Sequence, residues 1–396
     1  MKTLSVAHSA CTRILPAIVL IGSLIGFNSA SAAVFTWAGA AGNWGTNGSW
    51  LNNAQPANND SVLFTSAGSG TTSTVNLSRT ISDITFNASA NRTFTLQSSG
   101  TFTTTLGSLV NDSGSRQILA NNISLSSTSG VINTGAAGIL LGSKLTGSGN
   151  YSKTGSGLLE ITNGNNSGYT GTLSVDGGTL KLTSGLVNAN VNVKSGGSLS
   201  SEVNDYNNGY AGSVLVNNGG TLTPGGNGYG GFQVTNNTTL NAGSTSAFGI
   251  GSDSDFDQVT SGGLTTFGGA LTISMDYIPT TFGTTAPYFI DGNSWKLFDS
   301  SSYAGDFSSI TMTGTYGNVS FTKIDSNVWQ SQYLGSGQQF NFVVNTSSSG
   351  VAGTLYAVPE PSTIVFAGIG MAMFGWSTWT RRRAAARRET IDSAIV

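Results

Sequence analysis

The chain has 396 residues, 55 of them glycine and only 9% charged, with a formal net charge of −2 at pH 7. Solubility must come from Asn, Ser, Thr and Gly, weak helix formers that suit a long polar β-structure and argue against an all-helical fold. The one histidine, His8, and the one cysteine, Cys11, both precede the first apolar run. A body without them has no disulfide, no Ser-His-Asp or Cys-His nucleophile and no His- or Cys-based zinc site.

Lys2 and Arg13 give a basic start, residues 14–27 are apolar, and Ala30-Ser31-Ala32 forms an A-x-A site ahead of Ala33. This predicts a secretory signal peptide over 1–32, removed by signal peptidase. The body, 33–357, carries nine Lys or Arg against fifteen Asp or Glu. With that acidic balance and no basic run, nucleic acid is a poor partner.

Trp37, Trp44 and Trp50 crowd into residues 33–74. They read as an N-terminal cap, because the open apolar end of a stacked fold needs a lid. A sugar-stacking platform is the alternative. From Val75 onward, short runs such as Ile84-Thr-Phe86 and Ile123-Ser-Leu125 alternate apolar and polar residues between polar corners. Period-2 alternation puts one face inward and one outward. Then come Val175-Asp-Gly-Gly-Thr-Leu180, Val193-Lys-Ser-Gly-Gly-Ser-Leu199 and Val216-Asn-Asn-Gly-Gly-Thr-Leu222, whose Gly-Gly pairs stand 19 and 23 residues apart. Such a period marks stacked units that cannot bury an apolar face alone. Residues 75–277 therefore predict a β-solenoid, one coil per repeat.

Lys153, Gly155, Gly157, Leu158, Leu159, Tyr169, Gly171, Gly177, Gly178 and Leu180 carry a resemblance to the autotransporter-associated β-strand repeat. Its Lys-x-Gly-x-Gly-x-Leu entry, Tyr-x-Gly corner and Gly-Gly-x-Leu exit are present, although Leu158 follows Gly157 directly. One copy matches closely; the Gly196-Gly197 and Gly219-Gly220 units match in part. The Trp-rich opening resembles the first turn of the same proteins. The resemblance implies a right-handed parallel β-helix used as a passive stalk or display surface. The expected fold is all-β: that β-solenoid, an aromatic-rich C-terminal cap and a single C-terminal transmembrane helix. At roughly 20–25 residues and about 4.8 Å per coil, the body would make about 13–16 coils.

Asp253, Asp255 and Asp257 stand at alternate positions. They read as a structural rung or turn, to which the β-strand-repeat resemblance also points, or as oxygen ligands for calcium. No other cofactor is expected. Residues 278–345, rich in Phe, Tyr and Trp, predict a C-terminal β cap or a small β-sandwich, and 346–357 predict a linker.

Residues 358–396 form the last segment. Pro359-Glu360-Pro361 is followed by an apolar stretch from about Thr363 to Trp379, then by Arg381, Arg382, Arg383, Arg387 and Arg388. About seventeen apolar residues is near the lower limit for a transmembrane helix. The arginines would keep the C-terminus cytoplasmic. The three parts together resemble the PEP-CTERM sorting signal. That resemblance implies transient anchoring in the inner membrane, processing by an exosortase-type enzyme, and delivery to the cell surface or matrix of an exopolysaccharide-making Gram-negative bacterium.

The function these features support is that of a non-catalytic structural protein of the surface or matrix, associated with exopolysaccharide. One alternative is a glycan-binding adhesin, marked by an exposed aromatic row on one solenoid face. The other is a β-helix polysaccharide hydrolase or lyase, for which the acidic groupings are Asp253, Asp255 and Asp257, or Asp205 with Glu202. A hydrolase needs two carboxylates at a defined separation.

Overall fold

A computed structural model describes residues 32–358, apart from 40–41, 69, 164–165, 203–208, 282–291, 335–337 and 347–349. The alternating runs become short parallel strands in an all-β solenoid of about ten turns. One sheet stacks parallel strands from Val34–Thr36 to Phe298–Gly305, and a second stacks them from Gly42–Asn43 to Ser309–Gly314. Among the described residues the only helical element is a 3-10 turn, Asn47–Ser49.

Register follows the repeat. In the first sheet Lys153 pairs with Val175, Val175 with Val193, and Val193 with Val216. In the second, Leu159 pairs with Leu180, Leu180 with Leu199, and Leu199 with Leu222. Every one of these leucines and valines is buried. A slip of one residue would turn each row to solvent, so burial fixes the register. The two glycines of the 196–197 corner do different work. Gly196 has φ +80°, while a Cβ on Gly197 would lie 2.2 Å from the Val175 carbonyl oxygen of the preceding rung. The first glycine makes the turn and the second lets two rungs approach.

Both ends of the stack are closed. Trp37, Trp44 and Trp50 are at most 2% exposed and meet edge to face. Trp44 Nε1 donates to Ser73 Oγ at 2.7 Å, and Trp50 Nε1 to the Trp44 carbonyl at 3.1 Å. Their rings are inside and offer no platform to a sugar. At the other end the chain reverses. Ser309–Gly314 pairs antiparallel with Val319–Lys323, which leads through Val328–Ser331 and Gln339–Val343 to Thr354–Val358 and Ser294–Lys296. One apolar cluster runs from Trp37 to Ala357, so this cap shares the solenoid core and is not a separate sandwich.

Two expectations need correction. The segment 346–357 is not a linker: Thr354–Val358 is a buried strand hydrogen-bonded on both sides. The turns are fewer than 13–16 because the last rungs lengthen and the chain beyond Gly314 builds the cap. The step from Val259 to its neighbour Phe298 is about twice that from Leu173 to Val191. The signal peptide, the apolar stretch 363–379 and the arginine tail lie outside the described residues. Among the described residues, no helix is long and apolar enough to cross a membrane.

Candidate functional site

The three alternating aspartates lie in a tight turn, not a strand. Gly251 and Ser252 amides donate to the Asp255 carbonyl at 2.9 and 3.1 Å, and Ile250 bridges Phe256. The turn breaks the period of two and sends the carboxylates to different places. Asp253 accepts from the Tyr277 hydroxyl at 3.0 Å and from Asn293 Nδ2 at 2.7 Å. Asp257 is 2% exposed and accepts from the Gly230 and Gly249 amides, both at 2.8 Å. Among the described residues no three His, Cys, Asp or Glu side chains form a group able to hold a metal ion. Of the other acidic pairing, Glu202 meets Lys181 at 2.7 Å, and Asp205 lies outside the described residues.

Burial pushes the Asp257 carboxyl up to about 7, against the two amides that lower it, and Asp255 adds a smaller upward push. Its role is a tether. It ties the loop 224–230 to the strand Thr245–Ile250 and fastens the loop on the outer face of the second sheet. The loop starts with two residues in left-handed conformation, Gly225 at φ +69° and Gly226 at +61°. Gly225 N also donates to Ser201 Oγ at 2.9 Å.

The fastened loop has a cleft on each side. The upstream cleft, about 600 Å³, is lined by Thr179, Lys181 and Ser198. The downstream cleft, about 330 Å³, is lined by Tyr229, Asp257, Ser274, Asp276 and Thr313. Both include Thr223, Gly226 and Asn227 of the loop and its root. Hydroxyl residues of the sheet line the clefts: Thr179 pairs with Ser198, and Ser200 with Thr223. Thr272 pairs with Thr311 and Ser274 with Thr313 further along. Tyr229 packs against Gly249 and Gly251, where added Cβ atoms would come within 2.9 and 2.4 Å of its ring. Burial raises its hydroxyl pKa, and the Asp276, Asp255 and Asp257 carboxylates raise it further; the hydroxyl is hydrogen-bonded to Asp276.

Sequence reasoning did not find this cleft, because Asp276 and Tyr229 are distant in the chain and meet only through stacking. One signal was present: Pro224-Gly-Gly-Asn-Gly-Tyr-Gly-Gly231 interrupts the repeat with a glycine-rich insert. Lys153 has a different role. It is fully buried, and its ammonium donates to the carbonyls of Gly155, Gly157 and Gly177 at 2.8, 2.7 and 2.6 Å. Burial lowers it to about 8. It staples a corner across two rungs and touches no cleft.

The described chain stops at Val358, one residue short of Pro359. Residues 357–383 match the PEP-CTERM protein-sorting motif. The match takes in Pro359, Glu360, Pro361, Arg381, Arg382 and Arg383. The motif marks an exported protein sorted to the cell surface, and such signals are recognised by exosortase-type processing enzymes. No curated protein matches the chain.

Proposed function

We propose that the exported body is a non-catalytic spacer in the exopolysaccharide layer at the surface of a Gram-negative bacterium. The tail holds it transiently in the inner membrane until an exosortase-type enzyme acts. The observation that supports this is the single core, closed at both ends with its rings inside. Among the described residues Tyr333 is the one aromatic side chain more than half exposed, and these residues show no aromatic row of the kind an adhesin face would carry. The charge-poor outer faces suit a passive rod.

The test is fractionation of producing cells with and without enzymatic removal of their polysaccharide. The protein is expected in the matrix fraction and should be released when the polysaccharide is digested. Retention at the inner membrane in both cases would overturn the reading. In the same preparation, the polysaccharide should keep its chain length on incubation with the protein, and calcium should leave the melting temperature unchanged relative to chelator. Shortened chains would make it an enzyme.

A further inference from the structure

We propose that the outer face of the second sheet, on both sides of the loop 224–230, is a binding groove for a linear neutral polysaccharide. The proposal rests on the spacer reading and names the surface through which the rod would hold its matrix.

Three features point to this ligand. The first is shape. The two clefts share Thr223, Gly226 and Asn227, so they form one path that passes the loop. From the rung of Thr179 to that of Ser309 the path crosses five rung spacings, about 24 Å at about 4.8 Å each. Only an extended ligand fills such a path. The second is the lining. Hydroxyls of Thr179, Ser198, Thr223, Thr272, Ser274 and Thr313 line it in five of its six rungs, the sixth giving Ala247 and Gly249, and each hydroxyl can donate and accept, which matches a polyhydroxylated chain. Tyr229 adds one amphipathic ring held in place by the glycine strand beneath it.

The third is charge. Lys181 is matched by Glu202 at 2.7 Å and Glu160 at 3.6 Å, so the upstream cleft offers no free cation. Asp257 and Asp276 line the downstream cleft. An anionic polymer would meet repulsion from the exposed Asp276, while a neutral one finds in it a carboxylate acceptor for its hydroxyls. Asp257 also explains why the groove is preformed: it pins the loop to the sheet before any ligand arrives.

The experiment measures binding of the exported protein to a neutral linear gluco-oligosaccharide, to the producer's own exopolysaccharide, and to alginate as the anionic control. Tyr229→Ala should weaken binding of the neutral probe about tenfold or more. Ser274→Trp, at an exposed position in the cleft, should block it while leaving the melting temperature unchanged. Tyr333→Ala, outside the groove lining, should leave affinity as it was. The proposal is overturned if the neutral gluco-oligosaccharide does not bind, if alginate binds as well, or if Ser274→Trp binds normally. Failure of binding with the protein still in the matrix would remove the groove and keep the spacer. Normal binding by a protein absent from the matrix would do the reverse.

Discussion

The middle rungs, 151–240, and the C-terminal cap, 294–358, share one apolar core but treat its edge in opposite ways. In the rungs each strand offers its outer edge to a parallel neighbour, as Thr172–Val175 does to Leu186–Val193. That edge could accept rungs without end. In the cap the strand direction reverses at Val319–Lys323, and the succeeding strands pair antiparallel back to Ser294–Lys296. An exposed edge invites association; the reversal covers that of Ser309–Gly314 in the second sheet. Repetition lengthens the rod, and the departure from repetition ends it.

The sharpest way to break this comparison is at the seam. Phe298 lies 4.8 Å from Phe248, 5.2 Å from Phe267 and 6.0 Å from Phe307, between ring centroids. Phe298→Ala should cost about 3–5 kcal/mol. Chemical denaturation should show one shared transition for rungs and cap. An early separate transition of the cap would show that the two regions are independently stable.

Within the rungs, Lys153→Met should cost about 2–4 kcal/mol, because it takes the ammonium from three corner carbonyls, of which Gly157 alone keeps a side-chain donor, Thr134 Oγ1. Unchanged stability would show that water serves those carbonyls equally well. The smallest effect concerns the loop. Asp257 has its pKa raised from 3.8 to about 7. The folded body therefore binds more protons than the unfolded chain between those values. The stability this adds is fully present below about 3.8 and is lost as pH rises through about 7. Relaxation offsets part of the full linkage, leaving on the order of 2 kcal/mol. Melting temperatures at pH 4 and pH 8 should differ accordingly, and Asp257→Asn should shrink the difference.

The contrast between the regions also decides what could be read in advance. Leu173, Val175, Leu180, Val191, Val193 and Leu199 were legible as inward residues because a period of two and a Gly-Gly corner recur around them. The cap has no repeat to read. Thr354-Leu-Tyr-Ala-Val358 is a five-residue apolar run after a Ser-Gly stretch, and its place between two antiparallel partners depends on residues far back in the chain. The aspartates were legible as a structural rung or turn, and residues 251–255 do turn, but the separate partners of each carboxylate depend on residues far along the chain. The groove was hidden because stacking, not sequence proximity, brings Tyr229 to Asp276.

The position of that last strand has a practical result for the finished protein. Thr354–Val358 is clamped on both flanks, and its last two residues are already the first two of the sorting-motif match. A cut placed close to Pro359 would leave hardly any loose polypeptide trailing from the rod. Carboxypeptidases would find no ragged end to trim, and a tag attached after Val358 would report faithfully on the orientation of the whole body.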